Sequence, residues 1–241
     1  MRTNAFRRRR CIQLTPREQK GGFVFLGLYV LVFPVLKPVV EDFFDRNFGL
    51  YLSEALSAAL YHAIMVLVTV VIFQPYLEQA FRVLLDRLPE NLFALVTGLV
   101  GAGVLHLLVM LLPYPVENPN TFSWAVQFAY SPAATAVIVV LLMPFVEEVL
   151  FRGLLYDCLY RYGRPLAWTV SVLAFLLYSV WTFAVAYGDA RYLLLAVQYL
   201  PMSLALTWCY ERGGSIWSAF VLHALINGWA LISALSSTVV Y

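Results

Sequence analysis

Charge is scarce in this chain of 241 residues. Asp, Glu, Lys and Arg make up 12% of it, against 62% hydrophobic residues. That shortage excludes an ordinary soluble domain, which would have too little polar material to cover its surface. The formal net charge of +2 says little about partners, and no nucleic-acid partner is expected. Cysteine is scarce too: Cys11, Cys158 and Cys209 are too few and too scattered for a disulfide framework. No HExxH run occurs and no Cys/His cluster has zinc spacing, so neither a metal nor another cofactor is expected. Internal repeats and low-complexity segments are also lacking, which counts against a repeat-built transporter.

What the chain does have is apolar runs of about twenty residues, the length that crosses a bilayer as a helix. Seven are expected, roughly over 22–40, 54–76, 92–113, 133–156, 166–187, 191–210 and 214–236. The expected fold is therefore all-α, a polytopic transmembrane helical bundle. Residues 1–21 read as a basic cytosolic arm, 22–132 as amino-terminal membrane helices and 133–241 as the core that carries the chemistry. The arm is too long and too basic for the first part of a cleaved signal peptide. Twelve of the 16 Lys and Arg residues fall on one side if that arm is inside. Arg46 and Arg191 fall on the other, which orients the amino terminus to the cytosol and Tyr241 outside. The cysteines then lie on or near the cytoplasmic side and are expected reduced. Lys37 lies near a span end and can extend to the surface. Leu77–Glu90 has helical apolar spacing with charges of both signs, as in a helix lying on the membrane surface. The stretch Tyr114–Pro132 reads as a long interfacial loop.

Three charges interrupt the fourth span: "EEVLFR" places Glu147, Glu148 and Arg152 inside apolar sequence. Glu148 and Arg152, four apart, share a helix face and can pair. Glu147 points about 100° away and has no partner in its own span, which suits it to act as a general base where water reaches it. The last span carries "HALIN", with His223 and Asn227 again four apart. These groups meet only if the fourth and seventh spans pack together. Any one of them could be interhelical glue, but five in two arrays point to a functional site. His62, His106 and Gln198 read as structural. "GGSIW" is a partial match to the Gly-x-Ser-Gly of rhomboid proteases, with Ile216 in place of the needed Gly.

The stretch "EEVLFRGLLY" resembles the Glu-Glu-x-x-x-Arg motif of the CPBP family (CAAX proteases and bacteriocin-processing enzymes). "FVLHALIN" resembles that family's later His-x-x-x-Asn motif, and the resemblance runs from about Val137 to Leu235. It implies an intramembrane endopeptidase of the glutamic type, in which Glu147 activates water. Glu148 and Arg152 would shape the site, while His223 and Asn227 would bind the developing oxyanion. The implied partners are a membrane protein or peptide substrate and the bilayer, in a protein expected in a bacterial plasma membrane. The chain departs from the family at the middle Phe-x-x-x-His motif, where "FLLYS" puts Ser179 at the histidine position. Serine cannot take a proton near neutral pH. Glu147 acting without that imidazole, an inactive relative that only binds, as an immunity factor or scaffold would, and an engineered inactivating change all remain open at this point.

Overall fold

The computed structural model describes residues 13–49 and 53–238, with side chains through Ser236. Most of the segment expected as a basic arm, Cys11 and Tyr241 lie outside these residues. The first helix, α1 (Pro16–Phe48), begins inside that expected arm because Thr15 and Glu18 form a capping box. Thr15 Oγ1 accepts from Glu18 N at 3.2 Å, and Glu18 Oε2 accepts from Thr15 N at 2.7 Å. It ends at Gly49, whose φ of 59° suits a residue without Cβ.

Helix α2 (Glu54–Asp86) is bent where Phe73 leaves helical geometry (φ −110°, ψ 16°). Pro75 explains the bend: it has no N–H, and its ring crowds the carbonyl four residues back. Past the bend, Tyr76 N donates to Glu18 Oε1 at 3.0 Å, so the carboxylate that starts α1 also caps the second half of α2. The stretch expected as one helix over Leu77–Glu90 is divided: residues 74–86 form the helical part of α2 beyond the bend, and Leu88–Glu90 open the next helix, α3 (Leu88–Met110). The α2 continuation is tied to the bundle, since the carbonyls of Ala80 and Leu77 accept from Ser215 Oγ at 2.8 Å and Trp217 Nε1 at 3.3 Å. An apolar–charged pattern does not say whether the apolar face meets lipid or protein.

The expected loop contains a short helix, α4 (Pro119–Tyr130), started by the Asn118 side chain accepting from Asn120 N at 3.1 Å. Four helices complete the chain: α5 (Pro132–Tyr160), α6 (Arg164–Tyr187), α7 (Ala190–Gly213) and α8 (Ile216–Thr238). Among the described residues seven helices, all but α4, are long and apolar enough to cross a membrane. Helices α6 and α7 form an antiparallel pair about a tight turn with Gly188 at φ 62°. In that turn the Asp189 carboxylate accepts from the Arg191 guanidinium and backbone N–H, which hold its carboxyl below the usual range.

Helix α5 is the axis of the bundle. Some 61% of its apolar window is buried, against 11–44% for the others. Val146, Val149, Leu150, Phe151 and Leu154 are closed off on all sides by α1, α2, α6 and α8. Gly153 makes one of these contacts possible: a Cβ there would lie 2.9 Å from the Tyr76 hydroxyl and 3.0 Å from its ring. The outward faces of α1, α2 and α3 carry exposed Leu31, Leu67, Val71 and Leu107, apolar groups suited to lipid.

Candidate active site

Glu147 and Glu148 lie between two π turns of α5, Ile138–Leu142 and Val149–Tyr156. Such turns are uncommon and tend to occur at functional sites. A turn closed by i→i+5 bonds takes more than four residues, so positions four apart come close to stacking. Arg152 Nη1 donates to Glu148 Oε1 at 2.8 Å, both side chains having no exposed area. The guanidinium is held further by Ser203 of α7, donating from Nη2 to its carbonyl at 3.3 Å and its Oγ at 3.2 Å. It also lies 4.5 Å over the Phe175 ring of α6. One orphan remains on each partner: Glu148 Oε2 and Arg152 Nε have no hydrogen-bond partner among the described residues.

Helix α8 packs on α5 at this level and brings in His223, only 1% exposed. His223 Nδ1 lies 2.8 Å from Glu148 Oε1, the oxygen that Arg152 also bonds. An ionised carboxylate only accepts, so Nδ1 carries the proton. The other ring nitrogen, Nε2, faces Glu147 Oε2 across 3.7 Å, longer than a hydrogen bond. Glu147 itself is 4% exposed.

Asn227 reaches α5 one turn further on. Met143 N–H bonds back to the Ile138 carbonyl, and Pro144 has no N–H, so the Val139 carbonyl accepts from Asn227 Nδ2 at 2.9 Å. The same side chain lines a cavity of about 510 Å³ between α3, α4, α7 and α8, together with His106, Gln198 and Tyr199. Glu147, Glu148, His223 and Ser179 are not among that cavity's lining residues; the carboxylates and the imidazole are closed inside the bundle. Ser179 spends its hydroxyl on its own helix, donating to the Phe175 carbonyl at 2.8 Å. No hydrogen bond joins it to Glu147 or His223 among the described residues. Ser215 of "GGSIW" is likewise engaged with backbone, at Ala80.

The structure thus gathers Glu147, Glu148, Arg152 and His223 and sets Asn227 beside them, while Ser179 makes no hydrogen bond to any of them among the described residues. Among the described residues, no group of three His, Cys, Asp or Glu side chains is placed to hold a metal. Residues 129–229 match the family model described as Rce1-like, type II CAAX prenyl endopeptidase. These residues form an Rce1-like domain of the CPBP family. Comparison with curated proteins and with solved structures gives no match. The family's description is of a protease, and the Rce1-like domain spans α5 to α8, the helices that supply the charged cluster. Sequence reasoning missed Ser203, whose carbonyl and hydroxyl accept from Arg152, and nothing in its spacing pairs it with a residue of α5.

Proposed function

We propose that this protein is an intramembrane endopeptidase in which Glu147 activates water against a peptide bond of a membrane-associated protein or peptide. The observation that carries this reading is the separation of the two carboxylates. Glu148 takes Arg152 and His223 as donors on its Oε1, while Glu147 stands 3.7 Å from His223 Nε2 and is bonded to neither. Two buried carboxylates balanced by Arg152 and an imidazolium at His223 give a site with no net charge, the arrangement that burial favours.

In the reaction Glu147 takes a proton from water, and the water oxygen forms a bond to the carbonyl carbon of the substrate. The carbonyl π pair moves onto oxygen. That oxyanion accepts from His223 Nε2–H, which exists only in the imidazolium because Nδ1–H is committed to Glu148. The second N–H of the Asn227 amide can join it, the first being held by Val139. Collapse of the intermediate breaks the C–N bond, and the leaving amine takes the proton from Glu147. Amide and water become a carboxylic acid and an amine, with the base restored.

The test is peptide cleavage by the purified full chain in lipid nanodiscs, followed by mass spectrometry with a panel of membrane-anchored peptides, prenylated and not. Cleavage is expected, and Glu147→Gln is expected to abolish it in a protein that still folds. Retained cleavage in Glu147→Gln would remove the glutamate mechanism. If the native chain cleaves nothing, Ser179→His is expected to confer cleavage that Glu147→Gln removes again; failure there overturns the peptidase reading.

A further inference from the structure

Asn227 belongs to two regions at once. One N–H of its amide is bonded to the Val139 carbonyl of α5, beside the charged cluster. The same side chain lines the cavity of about 510 Å³ between α3, α4, α7 and α8. That volume falls within the range of sites that take a ligand, about 300–1,000 Å³. Small side chains make the space: Ala102 and Gly103 on α3 face it, as do Ala230 and Ala234 on α8. A second cavity, of about 1040 Å³ along α4, shares the lining residues Asn118, Thr121 and Gln198 with the first. The two together have room for a chain longer than either would hold.

The lining of the smaller cavity is polar without being charged. Among the described residues, no Asp, Glu, Lys or Arg lines it. Its amides have spent only part of their capacity. Asn118 Nδ2 donates to Gln198 Oε1 at 3.0 Å, and Asn120 Nδ2 donates to the Tyr199 hydroxyl at 2.9 Å. The Gln198 amino group, the Asn120 side-chain carbonyl, and the second N–H and the carbonyl of Asn227 have no hydrogen bond among the described residues. A peptide backbone matches such a set, since each amide offers one N–H and one C=O. An acyl or isoprenoid chain would pair with none of these groups, and covering amides with hydrocarbon is unfavourable. A charged side chain would find no opposite charge on the walls.

We propose that this cavity receives the substrate polypeptide on one side of the scissile bond, as an extended uncharged stretch whose backbone amides pair with Gln198, Asn120 and Asn227. Gln198 and Asn120 are then specificity-determining residues. They bond the substrate's backbone, and the uncharged walls around them reject Asp, Glu, Lys and Arg next to the bond. Asn227 joins this stretch to the chemistry, because His223 lies one turn before it on α8.

This inference rests on the peptidase reading, so its test has one arm that needs no turnover. A membrane-anchored peptide carrying a benzophenone in an uncharged stretch is irradiated with the full chain in nanodiscs, and the adducts are mapped by mass spectrometry. Met202 lines the cavity and is a favoured target of that probe, so the adduct is expected there. Ala230→Trp, which fills the cavity, should abolish it. Where that variant does not fold, Gly103→Leu serves instead, since a Cβ at Gly103 meets open space. A peptide with Lys or Asp beside the probe should give no adduct. In the second arm, Gln198→Leu is expected to raise KM about tenfold with kcat little changed, as loss of uniform binding does. No peptide adduct at Met202, an adduct unchanged in the filled variants, or an unchanged KM in Gln198→Leu overturns the inference even where the chain cleaves peptides. An adduct from a benzophenone on an acyl or isoprenoid chain, with none from the peptide, assigns the cavity to lipid and overturns it too. A peptide adduct in a chain that cleaves nothing, with Ser179→His as well, supports the cleft and removes the peptidase reading instead.

Discussion

Arg152 shows what a single residue must do for a charge to persist inside this bundle. It is fully buried, and its donors are divided among Glu148, the Ser203 carbonyl and the Ser203 hydroxyl. Removing it strands a carboxylate that still faces His223, a loss of roughly 3–5 kcal/mol for a broken buried pair. Arg152→Ala is therefore expected to lower the thermal unfolding midpoint in detergent as well as any cleavage. Arg152→Ala with Glu148→Gln should recover part of that stability, because the charges left on Glu147 and His223 again balance; equal midpoints for the single and double variants would refute this account. Ser179→Ala belongs at the other extreme. Its hydroxyl serves only its own helix, so the substitution should shift stability by less than about 1 kcal/mol and leave Glu147 chemistry unchanged.

At the scale of elements, the bend in α2 and the start of α1 are one construction. Glu18 accepts from Thr15 N and from Tyr76 N, serving two helix beginnings with one carboxylate. Glu18→Ala leaves both donors without an acceptor and should cost about 1–3 kcal/mol, read as a lower unfolding midpoint. Packing around α5 sets a contrast between two glycines. A Cβ at Gly153 would press on the fully buried Tyr76 ring, whose hydroxyl bonds Tyr210 at 3.0 Å. At Gly98 the nearest atom, 2.7 Å away, is the end of the Leu222 side chain, which can change rotamer. Gly153→Ala is expected to destabilise by about 1–3 kcal/mol and Gly98→Ala by clearly less, a ranking that urea titration of the two variants checks.

For the whole molecule, the distribution of basic residues leads to the expectation that Arg82 and Arg87 lie on the cytosolic side. Single cysteines placed at residue 85 and in the α6–α7 turn at residue 189, in a background without native cysteines, should label from opposite sides of the membrane. Labelling of both from one side would reverse the assignment of the spans. The bundle also separates its two polar regions. The charged cluster is sealed among α5, α6, α7 and α8, while the cavity of about 510 Å³ reaches it at Asn227 alone of the residues singled out by motif. Trp124 of α4 lines the same cavity.

Hydropathy alone was enough for seven spans and an all-helical fold, because a bilayer leaves the backbone few other ways to satisfy its hydrogen bonds. Helical spacing was enough for the Glu148–Arg152 pair, since both residues lie on one helix face and local geometry holds them there. Other features needed the packed chain. Whether Leu77–Asp86 meets lipid or protein depends on Ser215 and Trp217, more than a hundred positions away. The orphaned carbonyl of Val139 finds Asn227 only because α8 lies against the π turn of α5. The bond between Tyr178 and Tyr29 likewise emerges only when α1 and α6 come together. A motif spacing describes one helix at a time. An isolated carboxylate in a span is completed by groups from other helices, and their approach is decided by side-chain packing across the whole bundle.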